Sequence, residues 1–371
     1  GHLHWEMGNY DSALKEIKHV GEIFHELGDL DGESTAYNNL AVIYDDTGEL
    51  SSSEKFYKKG LDISLRIGDI EGEAKVLINL AGVYWRTGRA SESIDALSKS
   101  LLINEKLGNL LMAGMISNNL GLLKMNMDRL EESASAFLRS YHIFKRFRDK
   151  KHMALAAANL GLVSLYSENF KQAEKRFQES LKLSREINDR KGIGHSCRSL
   201  GNVYFCMENY SKSGSMLCKA HAIFKKMGEK IELIETDIKL SELYCRINDV
   251  QRSIDHANEA VKAAIDSGSI HHHIQSLEAL GEAQLDNSKE CGIETLIAAI
   301  ELAGVNGYFR EKISITLSLI DLIAADNEID DKSRKMVGKV IRDVEGEIDQ
   351  LDDKDRAKFK SKVKEYRNLR I

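Results

Sequence analysis

The chain has no proline among its 371 residues. Pro breaks helices and stiffens linkers, so helices here must end by another device and stiff Pro-rich linkers are excluded. No run of 18 apolar residues occurs, which excludes a transmembrane helix. Residues Gly1 to Asn9 contain no apolar core segment, so no secretory signal is visible. The dinucleotide GxGxxG, the P-loop, HExxH and GxSxG are all missing, which makes an enzyme the least expected class and gives no reason to expect a cofactor or a metal. The five cysteines (Cys197, Cys206, Cys218, Cys245, Cys291) are odd in number and form no CxxC. In a chain this long they read as reduced thiols of a cytoplasmic protein. A formal charge of −6 argues against general nucleic-acid binding. A hydrophobic fraction of 42% beside 30% charged residues is that of a soluble globular protein.

What is present is a period. Leu40, Leu80, Leu120, Leu160, Leu200, Leu240 and Leu280 stand forty residues apart, each followed by a small residue: Ala41, Ala81, Gly121, Gly161, Gly201, Ser241 and Gly281. So strict a register means one supersecondary unit copied and stacked. Tyr37, Leu40, Ala41 and Tyr44 follow i, i+3, i+4, i+7 spacing. A turn at Thr47-Gly48-Glu49 follows, then a second apolar pattern with Phe56, Leu61 and Leu65. Each unit therefore reads helix, tight turn, helix. The second helix ends on a residue that tolerates the left-handed region: Gly28, Gly68, Gly108, Asn188, Gly228 or Gly268. Arg148 breaks that row, which predicts a differently shaped junction or a strained Arg there. A second small row (Ser53, Ser93, Ser133, Ala173, Ser213, Ser253) lies twelve residues after the first and lets paired helices approach closely. Tyr57, Leu97, Phe137, Phe177 and Leu217, four residues further on, fill the remaining space.

The pattern Asn-Leu-Gly/Ala-x-x-Tyr, a Gly-Glu/Asn-Tyr/Leu turn, then Ser/Ala and an aromatic resembles the tetratricopeptide repeat (TPR). Asn79-Leu80-Ala81-Gly82-Val83-Tyr84 and Leu200-Gly201-Asn202-Val203-Tyr204 carry the match best. The resemblance covers residues 1 to about 305 and is closest to the forty-residue subtype of peptide-binding bacterial regulators, spindle scaffolds and ATPase-fused sensor arrays. It implies an all-α, right-handed superhelical solenoid of stacked helix-turn-helix repeats with a helical C-terminal cap. The expected organisation is a repeat array over 1–305, with an incomplete first unit and full units starting near 30, 70, 110, 150, 190, 230 and 270. A helical cap over 306–350 and a basic helix or linker over 351–371 follow. Gly304 arrives four residues early, which predicts that the period shortens there. The half-helix at the start predicts a fragment of a longer protein.

The resemblance also implies that the first helices line a groove. Positions spaced 4, 3 and 4 apart share one helical stripe. That stripe reads Thr35-Asn39-Val42-Asp46, Lys75-Asn79-Gly82-Arg86, Met115-Asn119-Leu122-Asn126 and Leu155-Asn159-Leu162-Tyr166, then His195-Ser199-Asn202-Cys206 and Glu235-Lys239-Glu242-Arg246. Asn39, Asn79, Asn119 and Asn159 form a ladder of carboxamides, which can pair with both backbone groups of an extended peptide or bond to the neighbouring repeat. Met115, Leu122, Met125, Leu155, Leu162, Tyr166 and Phe205 make the middle apolar; they either bind a partner or pack against opposite helices. The expected partner-binding set is these residues with Asn39, Asn79, Arg86, Asn119, Asn126, Asn159 and Asn202. Lys75, Asn79 and Arg86 resemble part of a clamp for carboxylate tails, but Met115 and Leu155 break that pattern.

The leading expectation is a non-catalytic recognition scaffold, the sensor or interaction segment of a larger signalling protein, that holds a peptide or protein segment in its groove. A self-assembling structural domain (a homodimer) and a small-molecule sensor fused to an ATPase stand as alternatives. His271-His272-His273 is read as a polar helix start, because adjacent residues on a helix point about 100° apart and cannot face one ion. Cys197 and Cys206 are read as core. The basic end, with Phe359, Val363 and Tyr366 on one face, could touch nucleic acid or an anionic membrane, and is read in preference as a solvated capping helix or a linker.

Overall fold

A computed structural model describes residues 4–5, 7–325, 331–346 and 353–368. The described residues are helices joined by tight turns and include no strand. The chain divides into two compact units, Gly1–Asn188 and Asp189–Ile371. The first holds α1 (Tyr10–Leu27), α2 (Leu30–Asp46), α3 (Leu50–Ile67), α4 (Ile70–Arg86), α5 (Ala90–Lys106), α6 (Leu110–Asn126), α7 (Leu130–Arg146), α8 (Lys150–Tyr166) and α9 (Phe170–Glu186). The second holds α10 (Arg190–Cys206), α11 (Tyr210–Met227), α12 (Lys230–Arg246), α13 (Val250–Ser267), α14 (Ile270–Leu285), α15 (Lys289–Val305), α16 (Phe309–Ala325), α17 (Asp331–Glu345) and α18 (Asp353–Asn368). Within each unit consecutive helices pack on one another as far as α16, and α17 and α18 both pack on α16, giving an all-α solenoid of helix pairs.

The turns explain how helices stop without proline. Positive φ recurs every twenty residues from Gly8 to Gly268, so the turn inside a repeat and the turn between repeats are built alike. At Gly68 the left-handed residue turns the chain so that Asp69 serves both helices. The Asp69 N–H donates back to the Ser64 carbonyl at 2.9 Å, and its carboxylate accepts from Gly72 N–H at 2.9 Å to cap α4. One residue thus closes the outgoing helix and opens the next. Arg148 keeps the same geometry at φ 55°, as do Asp128, Glu168, Asn188, Glu208 and Asn248. The junction is not reshaped; the Arg is held left-handed by the helices on either side, at a cost of roughly 1–2 kcal/mol for a residue with a Cβ. Arg148→Gly is therefore expected to stabilise the first unit by about 1 kcal/mol, less the extra chain entropy Gly has when unfolded. A urea melt showing no gain would count against strain at this turn.

The small rows do more than admit close approach. Ser93 Oγ donates to the Ala81 carbonyl at 2.8 Å, and Ser133 Oγ to that of Gly121 at 2.7 Å. Ser213 and Ser253 repeat the bond to Gly201 and Ser241 at 2.8 and 2.9 Å. A side-chain hydroxyl thus pins each of these pairs at the point where the backbones come nearest. Ser53 makes no such bond, and Ala173 has no hydroxyl to offer.

Beyond residue 280 the register shifts by one residue, not four. Gly304 lies inside α15, and the left-handed turn falls at Gly307. The cause is α14, which ends at Leu285 after 16 residues where its counterparts have 17. The basic end is helical as α18 and is not wholly solvated. Phe359 and Val363 are buried with Ile315 and Leu319 of α16 and Val337 and Ile341 of α17, while Lys362 Nζ donates to Asp321 at 2.6 Å. The Tyr366 side chain lies outside the described residues.

Candidate interaction face on the first helices

Both units carry stripe positions. In the first, Thr35, Asn39, Lys75, Asn79, Gly82, Arg86, Asn119 and Asn126 are exposed, and Val42, Leu122, Met125 and Leu162 half-buried. Three large apolar side chains stand out from it: Met115 at 44% exposure, Leu155 at 49% and Tyr166 at 61%. Leu122 and Met125 lean on the buried group around Phe137, so their packing role and their surface role coexist.

The carboxamide ladder divides. Asn159 is 6% exposed, and its Nδ2 donates to Asn118 Oδ1 at 2.9 Å. The fourth rung is thus spent joining α8 to α6. Asn39, Asn79 and Asn119 are exposed and make no hydrogen bond to other described residues. The rung that bonds across repeats is Asn118, a neighbour of Asn119 turned 100° away on the same helix.

Charged residues at the ends of the first helices tie successive repeats together. Arg86 forms an ion pair with Asp45, and Trp5 Nε1 donates to Asp46 at 2.6 Å. Arg86 is therefore half-committed to α2, which leaves part of its guanidinium fork at the surface. A cavity of about 340 Å³ bounded by Trp5, Phe24, Thr35, Asn39 and Val42 opens at the start of the stripe. A second cavity, of about 430 Å³, lies off the stripe except at Lys75, and its wall also includes Ile78, Leu107, Leu111, Met112 and Phe147. Its signal in the sequence is apolar residues at turn-flanking positions (Leu107, Leu110, Leu111, Met112), where a solvated turn would carry polar ones.

In the second unit the stripe changes chemistry. Asn202 is half-buried, and Phe205 packs edge-on to Tyr210 at 5.8 Å, against the group around Leu217 and Leu240. Phe205 is thus part of that unit's packing. Further along, the stripe positions become Glu242 and Glu282. Lys239 Nζ donates to Glu242 at 2.8 Å. Burial, then the charges of Glu282, Glu242 and Glu311, push the Glu278 carboxyl up to about 7. His271 and His272 point to different carboxylates, Glu311 at 3.5 Å and Glu235 at 3.7 Å, as expected of adjacent helical positions. Cys197 is buried as expected, but Cys206 is exposed because it falls on the outward stripe at the end of α10.

Tetratricopeptide-repeat family models match residues 1–66, 74–107 and 111–186, across the first unit. This chain is a tetratricopeptide-repeat protein. A model described as anaphase-promoting complex subunit 5 matches residues 203–283. Among curated proteins no sequence matches significantly. The TPR protein is similar in fold to a signal-transduction ATPase with numerous domains (STAND) from Pyrococcus horikoshii that carries a tetratricopeptide-repeat sensor. That match has a TM-score of 0.61 at 16% identity over 92% of this chain and 54% of that one. It is also similar to the apo form of RapI (TM-score 0.59, 14% identity, 79% of this chain and 99% of that one). A third is BtubC from P. vanneervenii (TM-score 0.53, 17% identity, 61% and 92%). At these identities the likeness is one of fold. Among the described residues no helix is long and apolar enough to cross a membrane.

Proposed function

We propose that the first unit of this TPR protein holds a peptide or protein segment along its first-helix stripe. The repeats make the chain a protein-interaction scaffold, and the stripe is where its surface is best suited to one. One observation carries the reading: Asn39, Asn79 and Asn119 are exposed and uncommitted at forty-residue intervals beside Met115, Leu155 and Tyr166, which water leaves poorly satisfied. The carboxamides offer a donor and an acceptor to an extended backbone, and the apolar side chains supply pockets for its side groups. Asn159 has no part in this contact.

The role we infer is that of a sensor or interaction segment within a signalling protein. The STAND neighbour, which joins a TPR sensor to an ATPase, supports it by analogy. The five cysteines, all free, suit a reducing cytoplasm. A photo-crosslinking amino acid placed at 115 or 155 is expected to label a protein partner in extract, and at the exposed Leu102 of α5 it is not. Asn79→Ala with Asn119→Ala should cut that labelling about tenfold, the effect of two lost hydrogen bonds to a partner at about 1 kcal/mol or less each. Equal labelling at 102 and 155, or labelling untouched by the double substitution, would remove the stripe as the binding face.

A further inference from the structure

We propose that His221, Asp237 and His256 form a binding site for a divalent transition-metal ion of the zinc class, pinning three successive helices of the second unit. His221 Nε2 of α11 lies 3.2 Å from Asp237 Oδ1 of α12, and His256 Nδ1 of α13 lies 2.8 Å from the same oxygen. All three ligand atoms fall within 4.8 Å of one another. Tetrahedral zinc with bonds of about 2.0–2.1 Å sets its ligand atoms about 3.3–3.4 Å apart. Two edges of that triangle already stand close to this spacing. The third, between the two imidazole nitrogens, is no longer than 4.8 Å.

The repeat supplies independent support. Where this unit has His221, other repeats carry Leu61, Leu101, Tyr141, Leu181 and Val261. Where it has Asp237, they carry Leu77, Ser117, Ala157, Cys197 and Leu277. Where it has His256, they carry Glu16, Phe56, Ala96, Ala136, Arg176 and Met216. The registers of His221 and Asp237 are otherwise uncharged, and that of His256 carries charge elsewhere only at Glu16 and Arg176; these three residues, 16 and 19 apart in sequence, meet at one point in space.

The carboxylate is also buried. Asp237 is 2% exposed, and its hydrogen-bond partners are the two imidazoles; no Lys or Arg reaches it among the described residues. An ion held by the same three atoms would neutralise this buried carboxylate. Both His side chains are about a quarter exposed, which leaves an entry path from solvent. Tyr244 stacks on His256 with ring centroids 5.5 Å apart and interplanar angle 9°, fixing that ring's plane. A water molecule completes the fourth position, and each imidazole then carries its proton on the nitrogen facing away from the metal.

Calorimetric titration of zinc chloride into the metal-free full chain is the test, with cobalt(II) as a spectroscopic stand-in. The expected result is one site per chain with a Kd in the micromolar range or tighter, and visible cobalt bands of a four-coordinate N/O centre. His221→Gln and His256→Gln, each keeping a hydrogen bond to Asp237, should weaken binding at least about tenfold. His271→Ala with His272→Ala should leave it unchanged. Circular dichroism checks that each variant is folded, and if one is not, the other His variant decides. No saturable heat and no cobalt spectrum in the unsubstituted chain would overturn the site, as would binding unchanged in a folded His variant or binding lost in the 271/272 variant.

Discussion

Phe137→Ala is expected to cost about 3–5 kcal/mol, the range for truncating a fully buried aromatic ring. Phe137 is among the largest side chains with no exposure, and it sits against Gly121 of the paired helix. A Cβ built on Gly121 would come within 2.6 Å of the Phe137 ring, so the glycine is small because the ring occupies its side-chain space. Removing the ring leaves a void that Gly121 cannot fill, in a stack where each repeat leans only on its neighbours. Urea unfolding should show the loss in the first unit, with α6 and α7 opening first by hydrogen exchange. The chain also holds a built-in alternative: Ala81 against Leu97 fills the same place with a larger small residue and a smaller large one. Gly121→Ala alone should destabilise by about 1–3 kcal/mol through overpacking. Combined with Phe137→Leu it should recover at least about 1 kcal/mol of that, because the two changes share one volume. Strict additivity in that double-mutant cycle would show that the ring and the glycine do not determine each other.

Much of this architecture was readable because it is written in a period. All seven leucines of the forty-residue ladder are buried, and the small residues beside them and the bulky residues sixteen positions on face each other as the spacing requires. What the period could not reveal are features decided by a few tens of degrees or by neighbouring helices. Asn118 and Asn119 are identical side chains on one helix, yet the first bonds to Asn159 and the second faces outward. Arg148 looks like an exception in sequence but adopts the glycine geometry, since the helices on either side over-determine that turn. Gly304 looks like a stop signal but lies within a helix, because the one-residue loss in α14 moved the turn to Gly307. The cluster of His221, Asp237 and His256 is spread over three helices, so no local motif could announce it. The candidate stripe was legible as a set of positions, while its division into committed and uncommitted carboxamides required side-chain geometry.

Glu278→Gln should stabilise the second unit at neutral pH and flatten its stability between about pH 5 and pH 7. Glu278 is half-buried beside Glu282, Glu242 and Glu311, and its carboxyl titrates at about 7 against an ordinary 4.5. The folded chain therefore holds this proton more tightly than the unfolded one. Below about pH 4.5 both states are protonated and the group contributes nothing. Between there and pH 7 the unfolded state releases the proton first, so stability falls as pH rises, and above pH 7 the penalty is complete. Each unit of pKa is worth about 1.4 kcal/mol, and partial solvation of the site lowers the whole effect to roughly 2 kcal/mol. The amide has the carboxylic acid's shape without the charge, so thermal melts of the variant at pH 7.5 should lie several degrees above the unsubstituted chain and converge with it near pH 4.5. Melts that stay parallel across this range would place the repulsion elsewhere on the acidic stretch of the stripe. Such a result would also mean that Lys239, held 2.8 Å from Glu242, already screens Glu278 from its neighbours.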